Sequence, residues 1–114
     1  MENIIYNELR IRGYSVDVGQ VKVRIINDDG KKIRKLLEMD FICNSGNKRV
    51  YIQSVLDMPT QEKIDQETNS LRHIKDGFPN IVIVGGLTPS HVNTDGISII
   101  NIIDFLKDTE GNLL

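Results

Sequence analysis

The stretch Leu36-Leu37-Glu38-Met39-Asp40-Phe41-Ile42-Cys43-Asn44-Ser45-Gly46-Asn47-Lys48-Arg49-Val50-Tyr51-Ile52-Gln53-Ser54-Val55-Leu56 decides the fold. Leu37, Met39, Phe41 and Cys43 alternate with Glu38, Asp40 and Ile42, the period of two that places successive side chains on opposite faces of a strand. Asn44 to Asn47 collect residues that favour turns. Beyond them, Val50, Ile52 and Ser54 alternate with Tyr51, Gln53 and Val55. Two antiparallel strands are predicted, Lys32 to Cys43 and Lys48 to Leu56. Leu37, Met39, Phe41 and Cys43 are expected to share one face, and Gln53 to lie near Asp40 on a common face.

Upstream, Tyr14, Val16 and Val18 alternate, and Val21, Val23 and Ile25 follow in the opposite parity, so a bulge or bend is expected near Gly19. Asn27-Asp28-Asp29-Gly30 supplies a hairpin turn and completes a three-stranded meander. Before it, residues 1–13 read as a helix ended by Gly13, with Ile4, Ile5 and Leu9 close to one stripe and Glu2 and Glu8 riding on it. Downstream, Pro59 opens a helix from Thr60 to Ile74, anchored by Ile64, Leu71 and Ile74. Ile81-Val82-Ile83-Val84 has the composition of a strand buried on both faces and entered from a helix, which favours parallel pairing. After Gly96 comes a short strand, Ile97 to Ile100, and Asn101 caps a last helix reaching Lys107. The expected fold class is α/β with an αβββαβ core: an antiparallel meander plus a parallel strand, flanked by helices, in one domain over residues 1–114.

With 114 residues, 39% hydrophobic and 26% charged, the chain suits one folded domain and neither a disordered nor a fibrous class. No apolar run approaches the ~20 residues of a membrane span, and MENIIYNELR lacks the order of a signal peptide, so a cytoplasmic location and no membrane partner are expected. Cys43 is the one cysteine, which excludes an internal disulfide and a thiolate zinc site; beside Phe41 it reads as a small buried hydrophobe. Aromatic residues are 5% with no Trp, poor material for stacking single-stranded bases. There is no phosphate-binding G-x-x-x-x-G-K-[ST] loop. Gly85-Gly86 runs into Leu87-Thr88-Pro89, a turn without the dinucleotide fingerprint. His73 and His91 lack the spacing of a helical metal site.

The formal charge of −2 hides a division. Residues 20–50 hold eight basic side chains against four acidic ones, so that segment is +4 and the remainder −6. Lysines on a hairpin commonly serve solvation and edge protection. A locally basic surface also meets phosphates in an acidic chain, and Lys31, Lys32, Arg34, Lys35, Lys48 and Arg49 are the candidate nucleic-acid contacts.

Asp40 interrupts an apolar run, where a buried carboxylate costs several kcal/mol unless charges compensate it. Gln53 on the next strand and Glu2 on the first helix are placed to approach it. Carboxylate and amide oxygens of this kind are the hard ligands that Mg²⁺ selects.

The runs Glu2-Asn3-Ile4-Ile5-Tyr6-Asn7-Glu8-Leu9, Arg12-Gly13-Tyr14, Leu37-Glu38-Met39-Asp40-Phe41 and Tyr51-Ile52-Gln53-Ser54 resemble a family. It is the domain of unknown function that follows the ATPase module in prokaryotic AAA+ family proteins, and is itself similar to the PD-(D/E)XK nuclease, or restriction-endonuclease-like, fold. The resemblance spans nearly the whole chain. It implies an αβββαβ core, an N-terminal ATPase module in the same polypeptide, and a site in which Glu2, Asp40 and Gln53 hold the metal and catalytic positions. Two positions depart from the nuclease pattern. Gln53 is a neutral amide where a charged metal ligand stands, and Val55 occupies the place of the catalytic lysine, changes that weaken Mg²⁺ binding and hydrolysis together. The implied function is therefore a catalytically degenerate nuclease-fold domain, a binding or regulatory appendage of the ATPase in contact with DNA. Two alternatives stay open: an active Mg²⁺-dependent nuclease with Lys63 as relocated base, and a protein-interaction module. Since the sequence begins on the helix carrying Glu2, the chain is expected to be the C-terminal part of a longer protein.

Overall fold

A computed structural model describes residues 2–57, 59–108 and 111. The elements run in the order α1 (Glu2–Ile11), β1 (Ser15–Ile26), β2 (Lys32–Ser45), β3 (Lys48–Val55), α2 (Gln61–Leu71), β4 (Asn80–Val84), β5 (His91–Val92), β6 (Ser98–Asn101) and α3 (Ile102–Lys107). The chain is thus a mixed α/β protein, and its strands form one six-stranded sheet in the order β1-β2-β3-β4-β6-β5. β1, β2 and β3 make the antiparallel meander, and β3, β4 and β6 are parallel. The expected α-β-β-β-α-β core is present, with helix ends shorter than the sequence suggested. β5 is an addition: two exposed residues pair with β6 and leave no periodic signal.

Helices cover both faces of the sheet. On one, Ile5 and Leu9 of α1 and Phe105 of α3 meet Phe41, Cys43, Val50, Ile52 and Ile83. On the other, Ile64 and Leu71 of α2 meet Met39, Tyr51, Val55, Val82 and Val84. This double cover is why Ile81 to Val84 is apolar at every position. Cys43 is fully buried in the first core, and burial, with Asp17 nearby, pushes its thiol up to about 12, which suits an inert packing residue.

One expectation is corrected. Leu37 and Met39 pack in the second core, whereas Phe41 and Cys43 pack in the first. The strand reverses its faces because Asp17 pairs with Ile42 but Gly19 pairs with Met39, so two residues of β2, Asp40 and Phe41, oppose the single residue Val18. The bulge lies beside Gly19 as expected, yet its extra residue belongs to β2. A bulge adds a local bend and re-aims a side chain. Here the side chain is Asp40.

Past the bulge β2 pairs only with β1, because its ladder to β3 runs from Ser45 to Phe41. Gly19–Ile26 and Lys32–Met39 therefore form a two-stranded arm in continuous register. Its Val23 and Leu37 are buried with the second core, which directs Lys22, Arg24, Lys32 and Arg34 to the opposite face. Gly85 marks a close approach where β4 ends: a Cβ there would strike the Leu56 backbone. No helix among the described residues is long and apolar enough to cross a membrane.

Candidate functional site

β2 and β3 fork just beyond the Phe41–Ile52 pair, and side chains close the fork. Gln53 accepts from the Asp40 N–H through Oε1 at 2.8 Å and donates from Nε2 to the Glu38 carbonyl at 2.8 Å. Its carboxamide thus replaces the peptide group that β3 no longer offers. Asp40 answers in kind: Oδ2 accepts from the Ser54 N–H at 2.9 Å and from Ser54 Oγ at 3.1 Å. Buried backbone donors and acceptors need partners, so this reciprocal clasp accounts for a polar pair in an apolar run.

Glu2 joins from α1. Its Oε1 lies 3.1 Å from Ser54 Oγ, and α1 is seated there by the fully buried Ile5 and Leu9. Ser54 therefore stands between two carboxylates, Asp40 and Glu2. A recess beside it is lined by Glu2, Asn3, Ser54, Leu56 and Asp57. Ser54 carries no signal of a site in the sequence, although its alternation with Gln53 puts it on the opposite face of β3, the side of α1.

Of the three residues expected to share a site, Glu2 and Asp40 meet through Ser54. Gln53 reaches Asp40 only at the backbone. Its side chain leaves β3 on the face of Tyr51 and Val55, toward α2, so the expected common face with Asp40 is corrected. Val55, at the position of the missing lysine, is buried in the second core. Lys63 is exposed on α2, and no hydrogen bond or ion pair joins its side chain to Glu2, Asp40 or Ser54 among the described residues.

These residues do not fit a Mg²⁺ ion. The Gln53 oxygen is committed to a backbone N–H, and a site of hard oxygen ligands needs several that converge. No group of three His, Cys, Asp or Glu among the described residues is placed to hold a metal.

A further acid borders the fork. Glu67 of α2 has its carboxyl pKa raised, first by burial and then by the charge of Asp40. A raised pKa means that the folded protein binds this proton more tightly than the unfolded chain, so Glu67 favours folding at low pH and loses that contribution as pH rises through its folded pKa. Glu67→Gln is expected to raise the urea midpoint at pH 7 and to give no gain at pH 4. An equal gain at both values would show that Glu67 carries no such penalty.

The basic candidates separate into two groups. Lys31, Lys32, Arg34 and Lys35 belong to the arm or its turn, with Lys35 opposite Val23 on the apolar side. Lys48 and Arg49 lie at the other end of β2. Arg49 donates to Asn44 Oδ1 at 2.8 Å and stacks over Phe78, and Lys48 sits over Tyr14. At ~3.3 Å per residue the length of β2 puts roughly 40 Å between the two groups. The six do not make one patch.

No family model matches the chain. Over 106 residues it is 36% identical to a Haemophilus influenzae (strain ATCC 51907 / DSM 11121 / KW20 / Rd) protein described as uncharacterized, an alignment that covers 93% of this chain. It covers 22% of that protein, so the chain spans about a fifth of the length of its relative.

Proposed function

We propose that the chain is a catalytically degenerate nuclease-fold domain that acts in the cytoplasm as a binding or regulatory appendage of an AAA+ ATPase and contacts DNA. The observation that carries this reading is the clasp at the fork. At the first position of the (D/E)XK triplet, Gln53 spends both polar atoms on β2, and at the third, Val55 fills the core under α2. Neither is free to bind a metal or to activate water, while Glu2 and Asp40 keep their places beside Ser54. The α-β-β-β-α-β order supports the restriction-endonuclease-like assignment. The limited share of the Haemophilus protein that aligns supports a domain within a longer polypeptide, where the ATPase module is its partner.

The test is a cleavage assay on linear duplex, single-stranded and branched DNA with 10 mM Mg²⁺ or Mn²⁺, set at about that concentration because weak hydrated sites saturate there. No cleavage is expected. Metal-dependent cutting that disappears in Asp40→Ala would overturn the proposal and restore the active-nuclease alternative.

A further inference from the structure

From the arm formed by Gly19–Ile26 and Lys32–Met39, we infer that the outward face bearing Lys22, Arg24, Lys32 and Arg34 is a docking surface for the phosphate backbone of duplex DNA. The inference rests on the DNA-contacting reading above and names the surface that does the contacting. Arg24 and Arg34 are direct cross-strand partners, Lys22 faces Leu36 and Lys32 faces Ile26. Like charges placed opposite one another destabilise a strand pair. All four side chains are exposed, and no ion pair ties any of them to an acid among the described residues. The acids of the arm stand at its ends, Asp28 and Asp29 in the tip and Glu38 at the root. None of the four has an ion-pair partner among the described residues, and the opposition of Arg24 and Arg34 costs the arm stability that an external polyanion restores.

The shape favours a nucleic acid over an acidic protein. Eight residues per strand give a ribbon of roughly 25 Å, with alternate side chains ~7 Å apart along each strand. Duplex DNA offers one phosphate per ~1.7 Å of axis, and its ~12 Å major groove admits a two-stranded ribbon. Guanidinium groups pair with phosphate oxygens in bidentate fashion. Arg24, Arg34 and Lys22 line a shallow recess of about 270 Å³ between them. This face of the sheet is also the one on which Ser54 meets Glu2, so a strand laid on the arm runs toward the fork.

Binding of the full chain to a fluorescein-labelled 20-base-pair duplex is measured by anisotropy from 50 to 200 mM KCl. With about 0.9 counterions released per phosphate contact, the plot of log K against log salt is expected to fall with a slope near −3 to −4. The variant carrying Lys22→Gln, Arg24→Gln, Lys32→Gln and Arg34→Gln is expected to bind at least ~100-fold more weakly at 50 mM, with a slope close to zero, whereas Lys48→Gln/Arg49→Gln stays within ~2-fold of the parent. A second readout guards against misfolding: the single change Arg24→Gln is expected to raise Tm by about 2–4 °C at low salt, because it relieves the Arg24–Arg34 repulsion. A fall in Tm would make the stripe structural and overturn the inference. If the parent chain binds no duplex at 50 mM KCl, the DNA reading falls and the inference with it. If it binds and the four-site variant binds equally well, the DNA reading stands and only the assignment of the arm is lost. Displacement by poly-glutamate as effective, charge for charge, as displacement by unlabelled duplex would assign the face to an acidic protein and overturn the proposal.

Discussion

Gln53→Leu is expected to cost about 1–3 kcal/mol of folding stability, read as a lower urea midpoint with an unchanged slope, because it removes the partner of the half-buried Asp40 N–H and of the Glu38 carbonyl. Gln53 is 5% exposed, so the amide itself is held inside the fold, while Glu38 and Asp40 border an open recess. The loss is a backbone loss: the Asp40 N–H and the Glu38 carbonyl both depend on that amide. Gln53→Glu separates the structural account from the metal-ligand account. Glutamate keeps the acceptor for Asp40 N–H, loses the donor to Glu38, and adds a carboxylate near Asp40 and Glu67. It is expected to destabilise the fold as well, and 10 mM Mg²⁺ is expected to return about none of the loss, since a ligand stabilises only a state with a site for it. A Mg²⁺-dependent rise of several degrees in Tm would show that the fork needs one charge to become a metal site.

The same residue marks where the sequence stops being legible. An amide inside Tyr51-Ile52-Gln53-Ser54 has two readings, ligand or hydrogen-bond patch, and the choice depends on whether the neighbouring strand continues alongside. That was decided by the bulge at Asp40 and Phe41, which has no composition signal: Leu37, Met39, Phe41 and Cys43 alternate without a break across it. In a sheet buried on both faces, apolar residues on either parity look alike, so the reversal is hidden. The antiparallel meander, the Asn27–Gly30 turn and the Asn101 cap were legible because each rests on local chemistry. Asn101 Oδ1 accepts from the Ile103 N–H at 2.9 Å, as a cap should. The division of charge was legible as a count, but the opposition of Arg24 and Arg34 required the register of the hairpin.

Phe105→Ala is expected to destabilise the chain by ~3–5 kcal/mol, the cost of deleting a buried aromatic and leaving a cavity. Phe105 is fully buried in the first core with Ile5 and Leu9, and its role extends past volume. The guanidinium of Arg12, just after α1, lies 4.5 Å from the ring centroid, and its Nη2 donates to the Phe105 carbonyl at 2.6 Å. Arg12 also pairs with Glu8 at 3.0 Å and with Asp108 at 3.4 Å. Ring and guanidinium together fasten α1 to α3, and α1 is the element that presents Glu2 to Ser54. Removing the ring is therefore expected to lower the urea midpoint and to speed amide hydrogen exchange in α1 more than in α2, which packs on the other face. Phe105→Leu, which keeps most of the volume, is expected to cost under ~1.5 kcal/mol. If Phe105→Ala instead loosened both helices equally, the two faces of the sheet would be one cooperative core, and the seat of Glu2 would depend on the whole sandwich rather than on the contact between α1 and α3.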